Sequence, residues 1–349
     1  MARLEMSRSP PFIFGGSSLG GLYEQVDPSD AVSCLRQALS EGVVEVDTAP
    51  HYGCGSAESV LGSALAQLGT AAASVLISSK VGRVIVPVAE SAEFSARIEH
   101  SNVPTSASCI FPGADRSVVP VLDFTESGFE RSFQSSLKRL GVSRLHCLKI
   151  HDCDSEDRLK ELASGGGIEY LRRLRESGLV KKIGIGCNDV RYSLAVLKLM
   201  PVADEVLIAG AFSLLDHPAS VSELFAECDR RGVEVMIAGV FASGILATTE
   251  AGIAPMYRYS SASPEVLARK ACWAALAAKF SLELSAVAVA FSLLPGRRIV
   301  VGLRSASEAE QAARWCRERD KVPAALWADA LQQGLLEPHV QKFLPPFVL

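Results

Sequence analysis

A chain of 349 residues with 48% hydrophobic side chains can bury a large core, and one α/β barrel with insertions accounts for that length as readily as two domains do. The formal net charge is −4 and the basic residues are scattered, which argues against a nucleic-acid partner. The longest apolar runs, such as 286–294, are too short to span a bilayer. The stretch 1–11 lacks the apolar segment and cleavage site of a signal peptide. Nine dispersed cysteines without a CxxC pair predict reduced thiols, a cytoplasmic setting and no metal centre.

Along the chain, short β-branched runs alternate with amphipathic helical patterns. A glycine-rich first strand is predicted near 13–19. Ala31, Val32, Leu35, Ala38 and Leu39 recur at helical spacing over 29–41, and a strand follows at 43–47. A helix over 58–68 leads to a strand at 74–80, and one over 128–140 leads to a strand at 144–151. Strands at 180–186, 204–209, 233–238 and 299–302 complete a series of eight. Eight strands alternating with helices predict a closed (β/α)8 TIM barrel, not an open doubly wound sheet, and no GxGxxG follows any strand. No linker marks a second domain. The expected organisation is one domain over 1–349, with a core of about 12–317 and a C-terminal extension over 318–349. The irregular stretch 83–122, with Pro87, Pro104, Pro112 and Pro120, leaves the third strand and is expected to be a loop over the barrel mouth.

In such a barrel, chemistry is collected from the C-terminal ends of several strands. Asp47 ends the second predicted strand, Tyr52 lies in the loop after it, Lys80 ends the third and His151 the fourth. A carboxylate, a phenol, an ammonium and an imidazole therefore converge on one face. These types suit proton transfer coupled to hydride transfer at a carbonyl. A free phenol, with a pKa near ~10, is a poor base at neutral pH. An adjacent ammonium favours the phenolate, and a carboxylate holds that ammonium in place. A histidine can donate a hydrogen bond to the same substrate oxygen. Each residue also has a plainer reading. Asp at a strand end is most often a cap, and a lone Tyr or His is usually structural. Lys at an apolar strand end is harder to dismiss. On adjacent strands the four together predict an acid–base site.

The stretch 45–53 (EVDTAPHYG), followed by Glu58 and Leu61-Gly62, resembles the signature of the aldo-keto reductase superfamily. The resemblance implies a (β/α)8 barrel and an NAD(P)-dependent oxidoreductase with Asp47, Tyr52, Lys80 and His151 as its catalytic tetrad. The segments 80–83, 123–124, 136–141, 150–152, 184–188, 212–216 and 241–246 are similar to the aldose 1-dehydrogenase branch, whose members oxidise sugars such as L-fucose, L-galactose or D-arabinose at C1. Pyridoxal dehydrogenases share much of the pattern. A broad aldehyde reductase, or a cofactor-binding sensor subunit, are the alternatives.

For the cofactor, the resemblance implies that Asn188 holds the nicotinamide carboxamide and that Phe241 stacks on its ring, with Ser243, Gly244 and Leu246 in the same loop. Asn188 could equally be a turn residue and Phe241 a core residue. Gly302, Arg304, Ser305 and Glu308 are expected at the phosphate end, before a helix beginning at Ser307 with Glu310 as its capping partner. Either NAD or NADP fits. Glu308, where NADPH-using relatives carry arginine, favours NAD by repelling a 2′-phosphate. The expected partner is a small sugar or aldehyde; neither nucleic acid nor membrane is expected, and the oligomeric state is open.

Overall fold

Residues 12–247 and 255–345 are described by the computed structural model. The stretch 1–11, read above as lacking a signal peptide, and the last residues of the 318–349 extension lie outside the described residues. The chain runs β1 (Ile13–Gly15), α1 (Pro28–Ser40), β2 (Glu45–Asp47), α2 (Ser56–Leu68), β3 (Leu76–Val81), β4 (Arg83–Pro87), β5 (Val118–Leu122), α3 (Glu126–Leu140) and β6 (Leu145–His151). It continues with α4 (Glu156–Ser164), α5 (Gly167–Glu176), β7 (Val180–Cys187), α6 (Val190–Leu199), β8 (Glu205–Ala209), α7 (Val221–Arg231) and β9 (Glu234–Ala238). Last come β10 (Met256–Tyr257), β11 (Ser260–Ser261), α8 (Pro264–Lys279), α9 (Leu284–Ser292), β12 (Arg297–Gly302), α10 (Ala306–Glu318) and α11 (Ala324–Gln332).

Eight of these strands close into a parallel barrel in the order β1-β12-β9-β8-β7-β6-β3-β2. The helices between them have the ends their sequences call for. Asp27 caps α1 ahead of Pro28, and Thr125 accepts from Gly128 N at the start of α3, which Gly141 closes in the left-handed region. Strand residues alternate between two destinations. Val46, Ile77, Leu148, Ile150, Ile183 and Ile185 are buried in the core cluster formed with the helices. The opposite face fills the barrel itself. On the β1, β8, β9 and β12 side that interior is an apolar plug of Ile13, Leu207, Met236 and Val300. On the β2, β3 and β6 side, and at the start of β8, it is charged, with Glu45, Asp47, Lys80, Lys149 and Glu205 all nearly or fully buried.

The stretch 83–122 is not wholly irregular. β4 and β5 pair antiparallel, from Arg83 opposite Leu122 to Pro87 opposite Val118, and Val84, Val86, Val119 and Val121 form a small apolar cluster of their own. Pro120 sits in this ladder opposite Ile85, tolerated because the hairpin has only two strands and both are edges. No single described helix is long and apolar enough to cross a membrane.

Gly62 marks a close approach of α2 to the end of α3. A Cβ there would meet the carbonyl carbon and oxygen of Leu140 at 2.9 Å, backbone atoms with little freedom to move. Gly62→Ala is therefore expected to lose about 1–3 kcal/mol despite the better helix propensity of alanine, read as a lower denaturant midpoint.

Candidate active site

The C-terminal ends of the barrel strands surround a cavity of about 900 Å³, within the usual range for a small-molecule site. Asp47, Tyr52, Lys80 and His151 all line it. Lys80 is 1% exposed, and its ammonium uses its three protons on three acceptors. It donates to Asp47 Oδ1 in a short ion pair, to Thr48 O at 2.9 Å and to Tyr52 Oη at 3.1 Å. Tyr52 keeps its own proton free for a ligand. The His151 ring stands edge-on to Tyr52, 5.8 Å between centroids, and its Nδ1 is buried without a partner among the described residues. A buried polar atom in that state at a cavity wall is matched to something that enters.

Burial dominates the electrostatics here. It pushes the Tyr52 phenol above its ordinary value; Lys80 pulls the other way and Asp47 adds to the rise, so the phenol is protonated at neutral pH. Burial opposes the Lys80 ammonium too, but Asp47 and Tyr52 together outweigh it and hold the group charged. His151 is pushed well down by burial and by the charges of Arg83 and Lys80, so it is neutral. Its neighbour His51, 5.8 Å away between ring centroids, is pushed down to about 3 by burial and by Arg83.

A second network lies beside these residues. Arg83, 4% exposed, donates through Nε and Nη2 to the two oxygens of Glu99 at 2.8 Å and through Nη1 to Asp152 Oδ2 at 3.2 Å. It fastens the 83–122 segment to the loop after β6. Phe111 of the same segment packs edge-on against His51, ring centroids 5.5 Å apart. Six of the eight non-glycine residues with positive φ among the described residues (Tyr23, Asp152, Ala242, Ser243, Arg258 and Tyr259) line the cavity. Strained backbone of this kind concentrates where ligands bind.

The residues expected at the cofactor divide. Asn188, Ser243 and Gly302 line the cavity. Gly244 follows Ser243 in the same turn, whereas Leu246 is buried in the core and Phe241 packs edge-on against Trp315 at 5.6 Å; neither of these two lines the cavity. The cavity-facing position at the end of β9 is Gly239, where a Cβ would come within 2.8 Å of Gly210 N and no ring fits. Tyr23 and Tyr259, ring centroids 6.5 Å apart, line the cavity instead. The helix expected to begin at Ser307 begins at Ala306. Its cap is Ser305, which accepts from Glu308 N at 3.2 Å, while Glu308 reaches back to Arg304 N at 2.6 Å. Arg304 Nη1 lies 3.4 Å from Glu24. A dinucleotide suits the wall that remains. Gly15, Gly16, Gly210, Gly239 and Gly302 present bare backbone to the cavity, and a Cβ on Gly302 would already sit 3.0 Å from Ser18 Oγ.

One group of potential metal ligands, Glu45, His146 and Glu205, brings ligand atoms within 4.8 Å of one another. Its carboxylates already face Arg298, Lys149 and Lys182, which answers for their charge. Sequence reasoning missed His51, Glu99, Phe111, Asp152 and Lys149. Lys149 was within reach, because two residues before His151 on a strand means the same face.

Glu99 carries a pH-dependent stability. Burial works against its charge, but the hydrogen bonds and charge of Arg83, with smaller help from its other neighbours, together outweigh that and hold the carboxyl at about 2 instead of 4.5. The depressed value means stabilisation present above the unfolded value and lost as pH falls toward about 2. Glu99→Gln is expected to cost roughly 2–3 kcal/mol at pH ~7, with the gap to wild type closing between about pH 4.5 and 2 in urea unfolding.

The sequence model of the Aldo/keto reductase family matches residues 11–324. A D-threo-aldose 1-dehydrogenase of Pseudomonas sp is 30% identical over 329 residues, covering 94% of this chain and 94% of that protein. A pyridoxal 4-dehydrogenase of Microbacterium luteolum is 30% identical over 331 residues, covering 92% and 93%. Among solved structures, a glycerol dehydrogenase of Gluconobacter oxydans superposes with a TM-score of 0.68 at 18% identity, covering 99% of this chain and 98% of that one, a likeness of fold.

Proposed function

The chain belongs to the aldo/keto reductase family and is an NAD(P)-dependent oxidoreductase, and from that premise we propose that it oxidises an aldose at C1 to the lactone, with Tyr52 as the acid–base group. The observation that carries the assignment is the Tyr52 hydroxyl, facing the cavity 3.1 Å from an ammonium whose other protons are already committed. A nicotinamide, when bound, exchanges the hydride with the substrate carbon. Tyr52 exchanges the proton with the oxygen on that carbon. Lys80 stabilises the phenolate, and Asp47 and Thr48 O keep Lys80 in place. His151, neutral, can donate one hydrogen bond to the same oxygen.

The sugar reading rests on the other wall. Neutral His51, the oxygens of Asp152 and Glu99, and Asn102 offer both donors and acceptors to substrate hydroxyls, and Phe111 offers a ring edge. Glu308 at the start of α10 holds a negative charge where a 2′-phosphate would lie, which supports NAD. Nine unpaired cysteines suit a reducing, cytoplasmic setting.

Purified protein with NAD and L-fucose, L-galactose or D-arabinose is expected to form reduced cofactor. Turnover of pyridoxal or aromatic aldehydes alone, with NADPH preferred, would overturn the sugar assignment. Tyr52→Phe is expected to lose turnover by a factor of roughly 10²–10⁴ while still binding cofactor, measured by cofactor fluorescence. Undiminished turnover in that variant would mean another group moves the proton. Because burial holds the phenol protonated at neutral pH, kcat for oxidation is expected to rise with pH into the alkaline range, while reduction is already supported at neutral pH.

A further inference from the structure

Beneath the tetrad lies a second buried ammonium. Lys149 is fully buried on β6, and in the barrel register it is the direct partner of Lys80 on β3. Like charges at directly opposed positions repel, and more strongly inside a protein than at its surface. The pair is tolerated because Asp47 lies between them. Its Oδ1 takes Lys80 and its Oδ2 takes Lys149 at 3.0 Å. Lys149 also lies 3.2 Å from Glu205 Oε2, and Glu205 in turn takes Lys182 at 2.9 Å.

We propose that Lys149 is a positioning residue for the reaction: by occupying the second oxygen of Asp47 it neutralises that carboxylate and leaves the charge of Lys80 to act on the Tyr52 hydroxyl. The proposal rests on Tyr52 being the proton partner.

Charge balance carries the argument. With Lys149 present, the connected carboxylates of Asp47, Glu205, Glu234 and Glu45 are matched one for one by Lys80, Lys149, Lys182 and Arg298 before Tyr52 ionises. Without it the same cluster is already negative, and forming the phenolate would add a second negative charge in a buried space. The other groups facing Tyr52 do not replace it. His51 and His151 are neutral, Asp152 is a carboxyl group and Tyr259 a phenol, so none brings positive charge. Arg83 is already shared between Glu99 and Asp152. Around Lys149 itself lie Asp47, Glu205, Glu45, Cys147 and Lys80. Burial and the like charge of Lys80 work against its charge, yet Cys147, Asp47, Glu205 and Glu45 hold the ammonium well above its ordinary value, so it is a fixed cation. A role confined to balancing Glu205 would be redundant, because Lys182 hydrogen-bonds that carboxylate directly and stays in place without Lys149.

The test compares wild type, Lys149→Met, Lys149→Gln and Lys149→Arg. Each is read by the pH dependence of NAD-linked oxidation of D-arabinose or L-fucose. Each is also read by tyrosinate absorbance after subtracting the same protein carrying Tyr52→Phe, a measurement that needs no turnover. Lys149→Met is expected to raise the Tyr52 ionisation by about one pH unit or more and slow oxidation at neutral pH about tenfold, with KM changed far less. Lys149→Arg, which keeps the charge, is expected to restore the profile. A folded Lys149→Met protein with an unmoved Tyr52 ionisation overturns the proposal, as does a shift of equal size in Lys149→Arg. Should Lys149→Met not fold, Lys149→Gln decides by the same criterion, because it removes the charge while keeping a donor for Asp47 Oδ2. An active Tyr52→Phe enzyme would instead sink the proton-partner assignment, whatever the Lys149 variants do.

Discussion

The interaction on which the site depends is the double engagement of Asp47. A lone carboxylate or ammonium inside a barrel is too costly to keep charged, and a buried ion pair survives only when each partner's remaining valences are met. Asp47 meets this condition with two ammonium groups, Lys80 with three acceptors and Glu205 with Lys149 and Lys182. The chain of alternating charges continues from Lys182 to Glu234, which is 49% exposed, so the buried column reaches solvent at the end of the barrel opposite the cavity. Charge enters the core as a connected line, anchored in water at one end and facing the ligand cavity at the other.

That line divides the barrel lengthwise. Beyond Glu205 and Glu234 at the starts of β8 and β9, the side built from β1, β8, β9 and β12 is apolar inside and ends at the cavity in glycine backbone at Gly15, Gly210, Gly239 and Gly302. The side built from β2, β3 and β6 is charged inside and ends in the residues we propose for acid–base work. A flat ring with a long polar tail needs close backbone approach along one wall, and a proton transfer needs fixed charge on the other. The two requirements call for opposite fillings, and the strand order keeps them on opposite sides of one cavity.

How far this could be read from sequence depended on how local the signal was. The eight strands were legible because each β-branched run is followed by an amphipathic helix, and the predicted edges fell within a few residues of the observed ones. The convergence of Asp47, Lys80 and His151 followed from strand order alone. The β4–β5 hairpin was not legible, because Pro87 and Pro120 read as breakers and only pairing across an insertion of more than thirty residues makes them strand residues. The start of α10 was ambiguous for a different reason. Ser305 and Ser307 each stand three residues before a glutamate, and what selects Ser305 is where β12 ends, at Gly302. Phe241 was placed by analogy with a loop whose path depends on Gly239 meeting Gly210, a tertiary approach with no local signature.

The end of β6 shows how the acid–base wall and the substrate wall are held in one frame. Lys149 and His151 lie on the same face of that strand by its two-residue period, so the ammonium beneath Asp47 and the imidazole beside Tyr52 cannot shift independently. Asp152 then leaves the strand with a φ of 45°, a conformation that non-glycine residues avoid, and this turn brings its carboxyl to Arg83. Arg83 holds Glu99 of the insertion, and the insertion carries Phe111 onto His51. A displacement of the insertion therefore acts on Asp152 and, through one peptide unit, on His151. The cavity-lining rings of Phe111 and His51 and the proposed proton-transfer group Tyr52 are thus linked through Lys149 and His151 on one strand and Asp152 just after it, which ties the insertion to the acid–base residues as well as placing it over them.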